Sequence, residues 1–299
     1  MSINPGKLRR LPEITCLFPK TVEEALRLID VHAESARVMA GGTYLLNKMK
    51  RRYVVAKYLI DLKEIADLNF IAYDGEEGLR VGAVTTLSRI VESPVVRELY
   101  PILADAAALI GSPQIRNIAS MAGNLCSAVS SADSAPPLIA LAAQLKIVSL
   151  EKERTVLVED FFTGPHQTVL CPDELVTEIL VPPPPAGGRG VYLKPPLRAE
   201  GDLSIAGVAV FLSRHADNIC HDARIALGAV APAPMRAWNA ENVLKKKPMG
   251  NDLIEKVARI ASEEAKPIDD IRSSADYRKQ MVRVLTKRAI QKCLQMNGG

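Results

Sequence analysis

Apolar positions recur along the chain at two spacings, helical and alternating, and their succession predicts the elements. Ala25, Leu26, Leu28 and Ile29 share one face of a helix that opens after Thr21 and ends near His32. Thr21 with Glu24 three positions on is a capping-box pattern. Residues 36–39, Ala-Arg-Val-Met, read as a short buried strand, Ala40-Gly41-Gly42-Thr43 as a turn, and residues 44–50 as a helix. With a further strand over 58–62, the chain up to about Leu62 forms a small β-α-β-like unit. Residues 70–73 and 79–84 read as a hairpin around the turn 74–78. A helix starts at Thr85, and 95–109 reads as one long helix. From Ile110 to Pro137 small and hydroxylated residues take over, with Gly111 and Gly123 spaced through the run. Residues 137–144 then read as a helix, and 145–150 with 155–158 as a hairpin turning at 151–154.

A composition break follows at residues 181–190, Val-Pro-Pro-Pro-Pro-Ala-Gly-Gly-Arg-Gly. Four consecutive prolines supply no ladder donors and favour an extended backbone, so a domain boundary is expected there. Beyond it, 206–212 and 223–229 read as antiparallel strands, and 253–265 and 277–294 as amphipathic helices. Strands that alternate with helices yet pair partly antiparallel predict an α+β protein rather than a doubly wound sheet.

Composition narrows the function without fixing it. A chain of 299 residues, 48% hydrophobic and 24% charged, has room for two domains with a sizeable core. A net charge of +4 is mild, and Lys246 between Lys245 and Lys247 reads as the only dense basic cluster, so nucleic-acid binding is not expected. The five cysteines (Cys16, Cys126, Cys171, Cys220, Cys293) form no C-x-x-C pair, which argues against a disulfide framework, a metal site or an iron–sulfur site. No apolar run reaches membrane-spanning length. Arg9 and Arg10 are not followed by a signal-peptide core, and the expectation is a cytoplasmic protein. The four histidines show neither triad nor metal spacing, and no catalytic acid, base or nucleophile is assigned.

Candidate chemistry lies in the two small-residue turns. Small residues let a backbone approach a ligand closely, and successive exposed N–H groups form concave anion sites. Gly41-Gly42 between a strand and a helix, together with Ser120, Gly123 and Asn124, suits a ligand carrying two adjacent phosphates, such as a dinucleotide. The other reading is of surface loops with small polar residues. The pattern is not G-x-G-x-x-G, which disfavours a Rossmann unit.

Ala40-Gly41-Gly42-Thr43, Ile110-Gly-Ser-Pro-Gln-Ile-Arg-Asn and Ser120-Met-Ala-Gly-Asn124, in this order, resemble the FAD-binding medium subunit of the molybdenum hydroxylases, the xanthine dehydrogenase and carbon monoxide dehydrogenase type. Weaker matches run nearly end to end: Phe18-Pro-Lys-Thr-Val-Glu-Glu-Ala25, Phe161-Phe-Thr-Gly164, Ile225-Ala-Leu-Gly-Ala-Val-Ala-Pro232 and Ser274-Ala-Asp-Tyr-Arg278. The resemblance implies a p-cresol methylhydroxylase-type FAD-binding fold over residues 1–180, with subdomains of about 1–62 and 63–180. A Pro/Gly-rich linker at 181–190 and a C-terminal α+β domain at 191–299, an antiparallel sheet with helices, would follow.

It also implies roles for particular residues. Met39, Ala40, Gly41, Gly42, Thr43, Tyr44, Leu45 and Leu46 would form the first FAD loop, and Ser120, Ala122, Gly123 and Asn124 the second. Ala122 stands where the family has glycine, and its methyl is tolerable only at negative φ. Asp133 would accept ribose hydroxyls, while its other reading, the N-cap of the following helix, stays open. Ile110 and Val176 would flank the adenine. Tyr192 and Lys194 would approach the isoalloxazine; the other reading of Lys194 is a surface strand residue.

The function so implied is electron transfer through FAD in a larger complex. A molybdopterin-binding large subunit would oxidise the organic substrate and a [2Fe-2S] small subunit would relay electrons. This chain would exchange them with NAD, a quinone or another acceptor, within a dimer of heterotrimers. No cysteine lies between Cys126 and Cys171, so the iron–sulfur insertion of the 4-hydroxybenzoyl-CoA-reducing relative is absent. The competing readings are a self-sufficient flavin oxidase of the same fold and a scaffold subunit that has lost FAD.

Overall fold

The computed structural model describes residues 10–195, 203–214 and 219–296. The chain opens with a three-stranded parallel sheet in which β3 (Tyr58–Asp61) lies between β1 (Thr15–Leu17) and β2 (Ala36–Met39). Helix α1 (Val22–His32) covers it with Ala25, Leu26 and Ile29. The Thr21 side chain accepts from the Glu24 amide as the motif predicts, while Glu24 Oε2 reaches one residue further back, to the Lys20 amide at 2.7 Å. From β2 the chain turns through 40–43 into α2 (Leu45–Lys50).

The second unit is an antiparallel five-stranded sheet. Its strands are β4 (Ile71–Asp74), β5 (Gly78–Gly82), β6 (Gln144–Val148), β7 (Glu153–Leu157) and β10 (Leu175–Val181). They lie in the order β4-β5-β10-β6-β7, with β8 (Phe162–Gly164) and β9 (Gln167–Thr168) forming a separate small hairpin. The long helix expected over 95–109 is two helices, α4 (Pro94–Leu99) and α5 (Pro101–Ala108), after the short α3 (Leu87–Glu92). Proline disfavours helical geometry at the residue before it, and Tyr100 accordingly leaves the helix at φ −132° and ψ 51°. The Tyr100 hydroxyl donates instead to the Pro182 carbonyl at 3.1 Å. The helix expected over 137–144 is shorter and begins earlier: α8 is Ala135–Ala140, and Ala142 at φ 54° turns the chain into β6.

The third unit is an antiparallel sheet of β11 (Gly188–Leu193), β12 (Gly207–Arg214), β13 (Cys220–Gly228) and β14 (Met235–Arg236), in that order. The run 181–190 is only partly a connector, because Val181 ends β10 and Gly188 already opens β11. Both faces of the sheet are buried, and its alternation sorts the side chains. Val191, Val208, Val210 and Ile225 pack in one core with residues of α9 (Trp238–Leu244), α10 (Asn251–Glu264) and α11 (Ala275–Gln295). Tyr192, Ala209, Phe211 and Ala226 point the other way, into the core that holds Leu138 and Ile139 of α8 and Ile102 of α5. The middle and last units therefore share one continuous core.

Candidate functional site

The two small-residue turns, far apart in sequence, lie against each other. A Cβ on Gly41 would stand 2.1 Å from the Ile118 carbonyl oxygen and 2.7 Å from the Ala119 Cα, so only glycine permits this approach of backbone to backbone. Gly42 takes φ +70°, and its carbonyl accepts from the Leu46 amide at 2.9 Å as α2 begins. On the facing side, after the short α6 (Pro113–Arg116), Ser120 caps α7 (Met121–Cys126), its Oγ accepting from the Gly123 amide at 3.1 Å. The Ser120 hydroxyl still has a proton to give, and among the described residues it donates it to none. A Cβ on Gly123 would lie 3.7 Å from the Ala40 methyl, which closes the junction of the two turns. Met39 ends β2 beneath it, with Thr43, Tyr44, Leu45 and Leu46 half-buried around it.

Ala122, which stands where the resemblance puts glycine, sits inside α7 with φ outside the positive range, and its methyl is buried in the main core. The substitution costs no backbone strain. Asn124 Oδ1 accepts from Ser134 Oγ at 2.5 Å and so ties α7 to the start of α8.

A second cluster joins the middle unit to the last. The buried carboxylate of Asp133 accepts from the Tyr192 hydroxyl at 2.6 Å on Oδ1 and from Lys194 Nζ at 2.8 Å on Oδ2. Lys194 Nζ also donates to the Leu109 carbonyl at 2.9 Å, and its side chain is 12% exposed, so it is not a surface strand residue. Nor does Asp133 cap α8, where Ser134 holds the N-cap position and no side chain bonds the first turn. Burial pushes the Asp133 carboxyl above its ordinary range against the downward pull of Lys194 and Tyr192. Burial and the neighbouring carboxylate raise the Tyr192 phenol well above its usual value, so it stays a donor.

The remaining candidates separate. Ile110, half-buried, follows the carbonyl that receives Lys194, and its own carbonyl accepts from Arg116 at 3.3 Å. Val176 stands in β10 opposite Ile147, 3% exposed, with its side chain in the main core. Sequence reasoning missed Ile118 and Ala119, which Gly41 abuts, and the Leu109 carbonyl. The Tyr44 hydroxyl also lies 3.1 Å from Nδ1 of His166, in the turn between β8 and β9. No local pattern marks a contact across 122 positions.

Comparison with known proteins supplies the family. Residues 12–184 match the model of the FAD-binding domain in molybdopterin dehydrogenase, and residues 192–293 that of the CO dehydrogenase flavoprotein C-terminal domain. The chain is 30% identical over 280 residues to the xanthine dehydrogenase FAD-binding subunit of Escherichia coli O157:H7, covering 93% of this chain and 95% of the relative. It is 33% identical over 282 residues to the nicotine 6-hydroxylase medium subunit of Paenarthrobacter nicotinovorans, covering 94% and 97%. The solved carbon monoxide dehydrogenase from Hydrogenophaga pseudoflava contains a chain that superposes with a TM-score of 0.92 at 33% identity, over 96% of this chain and 99% of that one. Among the described residues no helix is long and apolar enough to cross a membrane. Its turns, its shared core and these matches together make the chain a member of the FAD-binding subunit family of the molybdopterin dehydrogenases, a flavoprotein subunit of an oxidoreductase.

Proposed function

We propose that this chain passes electrons between a [2Fe-2S] subunit and an external acceptor such as NAD or a quinone, in a cytoplasmic complex whose molybdopterin-binding large subunit handles the organic substrate. Assembly as a dimer of heterotrimers belongs to the same reading. FAD, when bound, supplies the exchange between one-electron and two-electron partners. The observation that carries the reading is the close approach at Gly41: the backbone of 40–42 meets that of 118–119 with no room for a side chain, and beside it the Ser120 hydroxyl donates its proton to no described residue. Such a junction presents small residues and donors to a pyrophosphate, and the residues present fit the group.

In this reading Met39 to Leu46 and Ser120 to Asn124 hold the cofactor, with Asp133 and Lys194 setting the charge at its other end. Lys194 is preorganised, because Asp133 and the Leu109 carbonyl fix its ammonium. Ile110 lies on the same side, beside Leu109. Val176 would act through packing, as its side chain is enclosed.

The test is the visible spectrum of the purified full chain, before and after denaturation, with the released chromophore identified. Near-stoichiometric FAD is expected, and Gly41→Ala should lose it, since the added methyl must displace the Ile118 carbonyl. A colourless wild-type chain that takes up no added FAD would overturn the reading. Co-purification with iron–sulfur and molybdenum-containing subunits tests the complex.

A further inference from the structure

From Ser35 to Ile60 the chain carries six cationic side chains and no carboxylate, a longer and more numerous basic run than the three lysines at 245–247. Lys245 in the latter is tied to Asp222 at 3.7 Å, whereas Lys48, Lys50, Arg51, Arg52 and Lys57 enter no ion pair among the described residues. This strap leaves the end of α2, the helix that starts from the first cofactor turn. Lysines near a helix C-terminus are explained by the helix dipole alone, so Lys48 and Lys50 carry little by themselves.

Two further observations do not follow from helix chemistry. Arg52 occupies the left-handed region at φ 63°, the position after a helix end where glycine is favoured. Tyr53 and Val55 are 71% and 69% exposed between the cations, and Lys48 Nζ sits 5.2 Å from both the Tyr44 and Tyr53 ring centroids, holding the strap to the cofactor turn.

We propose that residues 48–57 are the docking face for a diffusible acidic electron-carrier protein; this rests on the electron-transfer reading above. Exposed, unpaired cations around a small apolar centre steer an encounter and let it dissociate, while a permanent subunit interface is larger and poorer in charge. The cations are strung along a strap rather than converging on a cavity, which favours an extended acidic surface over a small anion. In the exchange, each of two carriers gains one electron, one reduced flavin is reoxidised, and its protons go to solvent.

The test titrates the full chain with the soluble haem domain of cytochrome b5, an acidic one-electron protein, against the basic cytochrome c. Binding of the acidic probe should weaken at least about tenfold between about 20 and 200 mM salt, and cytochrome c should not bind. The combined substitution Lys50→Glu, Arg51→Glu and Arg52→Glu should abolish binding while flavin content and co-purification with the partner subunits persist. Arg52→Gly separates docking from folding: it should raise Tm, by relieving the left-handed residue, yet weaken the probe about threefold. The proposal is overturned if the triple variant binds the probe normally, if it no longer assembles with its partner subunits (a fixed interface), or if duplex DNA binds as tightly as the probe. A colourless chain that still binds the acidic probe would support the docking face and sink the flavin reading separately.

Discussion

Two aspartates, Asp133 where the middle unit meets the last and Asp270 at the foot of α11, both meet cations, and their carboxyls move in opposite directions. Asp270 is gripped by the Arg272 guanidinium at 2.6 Å and by the amides of Arg272 and Ser273, and its pKa falls well below the ordinary range. Nearby, Arg278, 2% exposed, donates from Nη1 to the Ile205 and Ala229 carbonyls at 3.0 Å, and its Nη2 lies 2.8 Å from Asp270 Oδ1. Asp133 has one lysine and one phenol, deep burial, and a raised pKa. A carboxylate used as an anchor is supplied with donors by its own chain. Asp133, with fewer donors and deep burial, keeps lone pairs that no described residue fills, and the proposed cofactor role draws on that spare acceptor capacity.

The largest effect should come from breaking the anchor. Arg278→Met leaves two buried carbonyls without a donor and removes one cation from Asp270, and should cost about 3–5 kcal/mol in denaturant unfolding with FAD affinity per folded molecule unchanged. A loss of FAD affinity in the folded fraction would erase the distinction between the two regions.

Acid unfolding sharpens it next. Glu174, whose carboxylate takes Arg154 at 2.6 Å and the Cys171 amide at 2.9 Å, is lowered from 4.5 to about 2. Its contribution is therefore complete above about 4.5 and lost as pH falls toward 2, on the order of 3 kcal/mol in all. Asp270 acts in the same sense. Asp133, being raised, acts oppositely: its burial cost is relieved as pH falls. Stability against pH should thus have a shallower acid limb in Glu174→Gln and a steeper one in Asp133→Asn.

At neutral pH, Asp133→Asn leaves the Lys194 ammonium buried without its counter-charge and should weaken FAD about ten- to a hundredfold in a fluorescence titration. Unchanged affinity would make Asp133 an anchor like Asp270. The smallest effect belongs to Ala122→Gly. It places glycine where the resemblance expects it, yet should cost about 0.5–1 kcal/mol, because the residue is helical and its methyl packed, and should leave FAD affinity within about twofold.

Much of the fold was legible because its determinants are local. The Thr21 cap, the strand before Gly41-Gly42 and the hairpin around 74–78 are set by side-chain chemistry within a few residues. The structure departs from simple periodicity where a proline or a distant partner intervenes. Pro101 splits the helix over 95–109 by the ordinary restriction on the preceding residue, and the Tyr100 hydroxyl then finds a carbonyl 82 positions away. The family models change over at the run 181–190, between 184 and 192, yet Tyr192 and Phe211 pack into the core of the preceding unit, which composition cannot convey.

By itself the sequence determined the elements, the two small-residue turns and the family to which their order belongs. Tertiary structure alone decided that Gly41 abuts Ile118, that Asp133 meets Tyr192 and Lys194 across 59 and 61 positions, and that Val176 is enclosed while Lys194 is held by Asp133 and the Leu109 carbonyl. The physical reason is one of range. Helix caps, turns and strand alternation follow from neighbours in the chain, whereas burial, and with it the direction in which a carboxyl titrates, exists only once distant segments have packed.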